Sequence, residues 1–315
     1  MLARIQQLLT LFLLAAPIAW AVYFWQSSPA LAACGFIVLA LGYTAVLALE
    51  FALLWWVNRV DPAPQATFSE LVSAWWGESL IAPKVFCWRQ PFRGNALPDN
   101  LAPEGIVPGK RGVVFIHGFF CNRGFWNPWL KRLRGSGHAY VAVSLEPVFG
   151  SIDEYTPLVD AAVRQVTAAT GLAPMLVCHS MGGLAARAWL QRMKAESRVH
   201  QVVTIGSPHG GTWLARFGHG KNGQQMRLAS SWLNALNIDI PADRVAPLGP
   251  AIPNTQFTCW YSNADNIVFP TSSATLPGAD NRLIRGQAHV QMAFAPQVMN
   301  QTLAMLAASN AGKEN

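Results

Sequence analysis

The sequence predicts an α/β domain, a mostly parallel sheet flanked by helices, preceded by two apolar helices long enough to cross a membrane. Three observations predict it. Two long apolar runs open the chain. From about residue 111, short β-rich runs alternate with helical patterns. A serine then sits in a glycine-flanked turn between one of those runs and the helix after it.

Of the 315 residues, 52% are hydrophobic and only 12% charged, whereas a soluble domain normally carries about 25% charged residues. The deficit is concentrated at the front. Leu8 to Trp25 is almost unbroken, Gln26 to Pro29 interrupt it, and Ala30 to Val57 follows with Glu50 as its only charge. A spanning helix needs roughly 20 apolar residues to cross ~30 Å of hydrocarbon. Trp20, Tyr23 and Trp25 close the first run and Trp55 and Trp56 the second, where interfacial aromatic belts belong. Residues 1–60 are therefore read as a transmembrane hairpin.

Three other readings compete with that hairpin. One is a cleaved signal peptide, whose apolar core of roughly 7–15 residues ends in small residues rather than aromatics. Another is a lipoprotein site at Leu31-Ala32-Ala33-Cys34, which a polar tether would follow instead of a second apolar run. The last is one spanning helix with one interfacial helix. Arg4 and Arg59 flank the hairpin and its link is uncharged, so the positive-inside tendency places both ends and the domain beyond in the cytoplasm.

The five cysteines are odd in number and widely spaced. They show neither zinc-ligand spacing nor a disulfide framework, in keeping with a reducing compartment. Net charge is +7, and residues 105–145 contain Lys110, Arg111, Arg123, Lys131, Arg132 and Arg134 with no acid. That stretch is either a solvated face or a patch turned to anionic membrane lipid. No basic–aromatic platform accompanies it, which argues against nucleic acid as a partner.

Residues 61–110 form a linker and an amphipathic segment. Asn58 to Thr67 is polar and proline-containing, and Phe68 to Ile81 has helical spacing that includes Trp75 and Trp76. That helix suits a membrane surface; burial of the two tryptophans in a core is the competing reading. Residues 111–315 carry the alternating pattern. Strands are expected at Gly112–Ile116, Ala139–Leu145, Pro174–Cys178, Val199–Ile205 and Thr255–Tyr261. Helices are expected at Trp126–Leu133, Ile152–Thr170 with a stop at Gly171, Met181–Met193 and Val290–Ala308. Helical crossovers of this length imply parallel strands, with reactive groups at the carboxyl ends.

The serine lies in Leu176-Val177-Cys178-His179-Ser180-Met181-Gly182-Gly183. A tight strand-to-helix turn lifts its hydroxyl clear of the sheet. It demands small residues two before and two after, because the backbones approach closely. Gly182 meets that demand, Gly183 supports it, and Cys178 stands where glycine is usual. The following helix aims its free amides at the site. A serine nucleophile needs a base, and the base an orienting acid. Asp265, in the loop after the fifth expected strand, and His289, just before the last helix, follow Ser180 in the order acid, then histidine. Asp280 is the alternative acid and His209 the alternative base. His179 points away from the turn and is read as structural. Upstream, the first strand ends in His117-Gly118-Phe119. The amides of Phe119 and Met181 are the natural donors to a developing oxyanion.

From about Arg111 to the end, the chain resembles the α/β-hydrolase superfamily and, within it, the bacterial lipase and esterase group. Three motifs carry the resemblance: His117-Gly118-Phe119, His179-Ser180-Met181-Gly182-Gly183, and Gly206-Ser207-Pro208-His209-Gly210-Gly211-Thr212. It implies an α/β-hydrolase fold that cleaves acyl esters without a redox cofactor, with Ser180, Asp265 and His289 as triad and Phe119 and Met181 at the oxyanion hole. An acyltransferase or thioesterase with the same triad is the second reading, and a non-catalytic membrane binding module the third. Residues 212–250 break the strand–helix rhythm and carry a heavy apolar load. They are expected to form a lid whose Trp213, Phe217, Trp232 and Leu236 wall the site for a lipophilic ester; an ordinary packing segment is the alternative.

Overall fold

Two helices open the chain, α1 (Leu2–Phe24) and α2 (Pro29–Val57), in a computed structural model that describes residues 1–238 and 256–310. Ser28 starts α2 by accepting the Leu31 N–H, with Pro29 in the first turn, where its missing N–H costs nothing. The helices pack against each other closely enough that a Cβ on Gly35 would overlap the Trp20 indole. Both are long and apolar enough to cross a membrane, and most of their surface is exposed.

One end of this hairpin sits on the rest of the molecule. Gln6 donates to the Phe120 carbonyl at 3.2 Å, and the Asn58 amide donates to the Thr271 hydroxyl at 2.8 Å. Helix α3 (Phe68–Pro83) begins with a capping box of Thr67 and Glu70. It is tied to α2 by Trp75, which donates to the Thr44 carbonyl, and by Tyr43, which donates to the Ser79 carbonyl. The two tryptophans thus divide their roles: Trp75 is half-buried against α2, whereas Trp76 is exposed. Phe68, Val72, Trp76 and Leu80 form an exposed apolar row at four-residue spacing. Ala74 and Glu78 lie on the buried face. A π-helical turn (Lys84–Arg89) and α4 (Gln90–Arg93) lead to the sheet.

The strands are β1 (Val113–Ile116), β2 (Tyr140–Val143), β3 (Met175–His179), β4 (Gln201–Ile205), β5 (Gln256–Ser262) and β6 (Asp280–Ile284). They form one parallel sheet in the order β2-β1-β3-β4-β5-β6. Strands β1 to β4 are buried on both faces, which is why they read as unbroken apolar runs. Val114, Ile116, Leu176 and Cys178 face α6 (Thr156–Thr170) and α7 (Met181–Met193). The alternate residues Val113, Phe115, Met175 and Val177 face Trp126, Trp129 and Val298, from the segment at α5 (Asn127–Leu133) and from α11 (Pro296–Ala308). Helix α6 ends at Gly171 in the left-handed region.

Two elements differ from expectation. Strand β6 was not anticipated, because Asp280, Asn281 and Arg282 make it a polar edge strand. The final helix is two helices, α10 (His289–Met292) and α11, divided because Pro296 starts a new helix rather than continuing one. Of the expected lid, residues 212–238 are described. They hold a 3₁₀ segment (Trp213–Phe217), α8 (Lys221–Gln225) and α9 (Ser231–Ile238). Residues 239–250 lie outside the described residues.

Candidate active site

Ser180 joins β3 to α7 with φ 54° and ψ −129°. A side-chain-bearing residue in that region costs about 1–3 kcal/mol and persists only where its surroundings impose it. Here the Ser180 N–H donates to the Ile205 carbonyl at 2.9 Å. Gly182 lets α7 lie on β1, since a Cβ there would be 2.3 Å from the Ile116 carbonyl oxygen. Cys178, fully buried in β3 between Ile116 and Thr204, is small enough for the turn, and burial pushes its thiol pKa up, leaving it unreactive.

Gly118 passes directly over the serine: a Cβ on it would be 2.7 Å from the Ser180 Cβ. The next residue, Phe119, meets the Phe149 ring edge-to-face with centroids 5.7 Å apart, and Met181 is the first residue of α7. His117 anchors this loop. Its Nε2 accepts the Leu145 N–H at 3.0 Å, so its Nδ1 carries the proton and donates to the Gly118 carbonyl at 2.8 Å. Burial lowers the His117 pKa to about 4.

Asp265 follows β5 and is almost fully buried. Its Oδ1 accepts the N–H groups of Ile267 and Val268 at 3.0 and 2.8 Å. Its Oδ2 lies 2.9 Å from His289 Nδ1. Burial works against a charged His289, but the charge and hydrogen bond of Asp265, with further help from Glu78 and Glu50, hold its pKa above the ordinary value. Gly206, at φ +57°, makes room for this pair: a Cβ there would sit 2.9 Å from Asp265 Oδ2 and 3.2 Å from His289 Nδ1. His179 stacks on Phe125 at 4.5 Å and donates through Nε2 to the His289 carbonyl at 3.2 Å. Burial holds it neutral. Its ring centroid is 4.6 Å from that of His289, which brings the histidine beside the serine turn.

The two alternatives sit elsewhere. Asp280 pairs with Thr258 at the start of β6, the end of the sheet opposite Ser180 and Asp265, where it is exposed and bridged to Arg282 at 2.7 Å. His209 is buried with Nε2 3.1 Å from the Thr204 hydroxyl, and burial keeps its pKa well below the ordinary value. Asn266 and Glu78 belong to no motif in the sequence, yet both hydrogen-bond the His289 segment. Glu50 stands in the sequence as the lone charge of its apolar run. That oddity was a usable signal: a carboxylate inside an apolar helix needs a polar partner, and Asn266 provides it.

A cavity of about 430 Å³ opens on Ser180, walled chiefly by Phe119, Phe149, Leu214, Met226 and Val268. The expected lid segment contributes to this wall, but through other residues than those anticipated. Among the described residues, Trp213, Phe217, Trp232 and Leu236 do not line the cavity. Trp213 packs on Phe269 and Trp56, and Phe217 is exposed. The Trp232 indole donates to Asp153, and Leu236 is buried in the core shared with α7. Trp213, Trp232 and Leu236 find partners below or beside the segment, and Leu214 and Met226 line the cavity that opens on Ser180.

Residues 113–305 match the alpha/beta hydrolase family. The chain belongs to that family. Among solved structures, it resembles the mature form of the Bacillus licheniformis lipase BlEst2 with a TM-score of 0.55 at 17% identity, over 64% of this chain and 94% of that one. It also resembles Aspergillus fumigatus lipase B, with a TM-score of 0.52 at 18% identity, over 63% of this chain and 53% of that one. At such identities these α/β hydrolases share the fold. None of the curated proteins compared with the chain matches it.

Proposed function

We propose that this α/β hydrolase is a serine hydrolase that cleaves lipophilic carboxylic esters, anchored in a membrane by its N-terminal hairpin. The observation that carries the reading is the strained Ser180 beside a buried Asp265–His289 pair at the carboxyl ends of the strands. In the proposed reaction His289 takes the Ser180 hydroxyl proton as the serine oxygen attacks the ester carbonyl. Asp265 orients the imidazole and stabilises the imidazolium. The amides of Phe119 and Met181 receive the developing oxyanion. The alcohol leaves with the proton from His289, and water then cleaves the acyl-enzyme by the same route.

The apolar wall of the cavity supports a lipophilic acyl group, and the lipase names of the two fold neighbours point the same way. Membrane anchorage is supported by the two exposed apolar helices of residues 1–60 and by the apolar row on α3 beside them. Arg4 and Arg59 favour a cytoplasmic face for residues 111–315. Labelling with a fluorophosphonate, followed by a chain-length series of p-nitrophenyl esters, tests the reading. The wild type is expected to label and to hydrolyse, and Ser180→Ala to do neither. Full activity in folded Ser180→Ala overturns it.

A further inference from the structure

We propose that Glu78 on α3, with Glu50 on α2 as a second strut, is a positioning residue for His289, so that the N-terminal helices belong to the catalytic machinery as well as to its anchor. The proposal rests on the hydrolase reading above. Both carboxylates lie outside residues 113–305, the part matched by the family.

A helix leaves its first amides without intrahelical partners, and α10 begins at His289 itself. Each of its first three amides is met by a side chain from elsewhere. The His289 N–H donates to Asn266 Oδ1 at 3.1 Å. The Val290 and Gln291 N–H groups donate to the two oxygens of Glu78 at 3.1 and 3.0 Å. Asn266 is itself held, donating through Nδ2 to Glu50 Oε2 at 2.6 Å. The backbone that carries the histidine is thereby held from α3 at its next two amides and from α2 through the Asn266 side chain.

Glu78 is only 2% exposed. Burying a carboxylate is costly unless hydrogen bonds and favourable charge offset the loss of water. The two amides offset part of that cost. Burial pushes the Glu78 pKa up to about 7 against the pull of the Gln291 and Val290 amides and His289, with Asp265 adding to the rise. The charged and titratable groups facing His289 are Asp265 from the β5 loop, Glu78 from α3, Glu50 from α2 and His179 from the end of β3. A negative charge near His289 favours the imidazolium that forms when Ser180 gives up its proton. Removing that charge lowers the His289 pKa and moves the acid limb of the rate profile to lower pH. Loss of packing alone lowers the rate and leaves the limb where it was.

The test uses the full chain in detergent micelles, with kcat and KM for p-nitrophenyl butyrate measured from mildly acid to mildly alkaline pH. In Glu78→Gln, kcat is expected to fall on the order of 10- to 100-fold with little change in KM, and the acid limb to move to lower pH. Glu78→Asp keeps the charge and is expected to hold the limb near that of the wild type. Glu50→Gln is expected to move the limb in the same direction as Glu78→Gln, by less. An unmoved limb in folded Glu78→Gln, with an active wild type, overturns the proposal alone. If Glu78→Gln does not fold, an unmoved limb in Glu50→Gln overturns it. A wild type that neither hydrolyses the ester nor reacts with the fluorophosphonate overturns the hydrolase reading and this proposal with it.

Discussion

Gly118 stands so close to Ser180 that a methyl group on it would lie 2.7 Å from the serine Cβ and 3.2 Å from its Oγ. No real Cβ tolerates the first of these distances, and the Ser180 backbone is already held in a strained conformation, so the loop must move. Gly118→Ala is therefore expected to lower kcat/KM by on the order of 100-fold or more while the far-ultraviolet circular dichroism stays that of the wild type. Near-normal turnover would mean that the loop is not part of the reacting site.

The acid is expected at Asp265 and not at Asp280. Asp265→Asn leaves the shape of the buried pair but reverses the hydrogen-bond preference at His289 Nδ1, and kcat should fall on the order of 10⁴-fold. Asp280→Asn removes one exposed ion pair with Arg282 and should change kcat by about twofold or less. Steady-state kinetics on the two variants separates the carboxylates.

The proposed reaction requires a neutral His289 as its base. Since its pKa is held above the ordinary value of 6.5, the acid limb of kcat/KM is expected to have its midpoint above that value. A midpoint below it would mean that the charge of Asp265 does not reach the imidazole as the geometry indicates.

Acid should also loosen the fold, through a different histidine. His117 stays neutral in the folded chain down to about pH 4, whereas the unfolded chain takes up a proton near 6.5. Between those values the unfolded state binds more protons, so stability falls as pH falls. The His117 share is about 3 kcal/mol in order of magnitude. His117→Gln should melt lower than the wild type at neutral pH, because two loop hydrogen bonds are disturbed, yet lose less stability on acidification. Thermal melts across that range measure the difference in slope.

Leu214 and Met226, rather than the tryptophans of the same segment, line the cavity at Ser180. Leu214→Trp should therefore shorten the acyl chain the site accepts. Its kcat/KM for an octanoyl ester is expected to fall roughly tenfold more than that for a butyryl ester. Equal losses on both would place the acyl chain elsewhere.

How much was readable in the sequence follows from burial and from neighbours. Strands β1 and β3 were legible because both faces are covered, so Val113–Ile116 and Met175–Cys178 are unbroken apolar runs. Strand β6 was not, because an edge strand tolerates Asp280 and Arg282 and loses the alternation that marks its kind. Ser180 was legible because its turn constrains residues two positions away. Glu78 was not: a lone glutamate in an amphipathic helix looks like part of a solvated face, and its partners Val290 and Gln291 lie more than 200 positions away. The aromatic load after Thr212 announced an apolar segment near the site, but composition carries no direction, and the direction decided which residues face the cavity.

The left-handed Gly206 beside Asp265 and His289 bears on how activity is inferred from genomes. Any larger residue there would have to occupy space the carboxylate and imidazole already fill, in a backbone conformation that side chains resist. On the proposed mechanism, a descendant of this gene that exchanged that one glycine would keep Ser180, Asp265 and His289 and still be inert, so their presence in an alignment would misreport its activity.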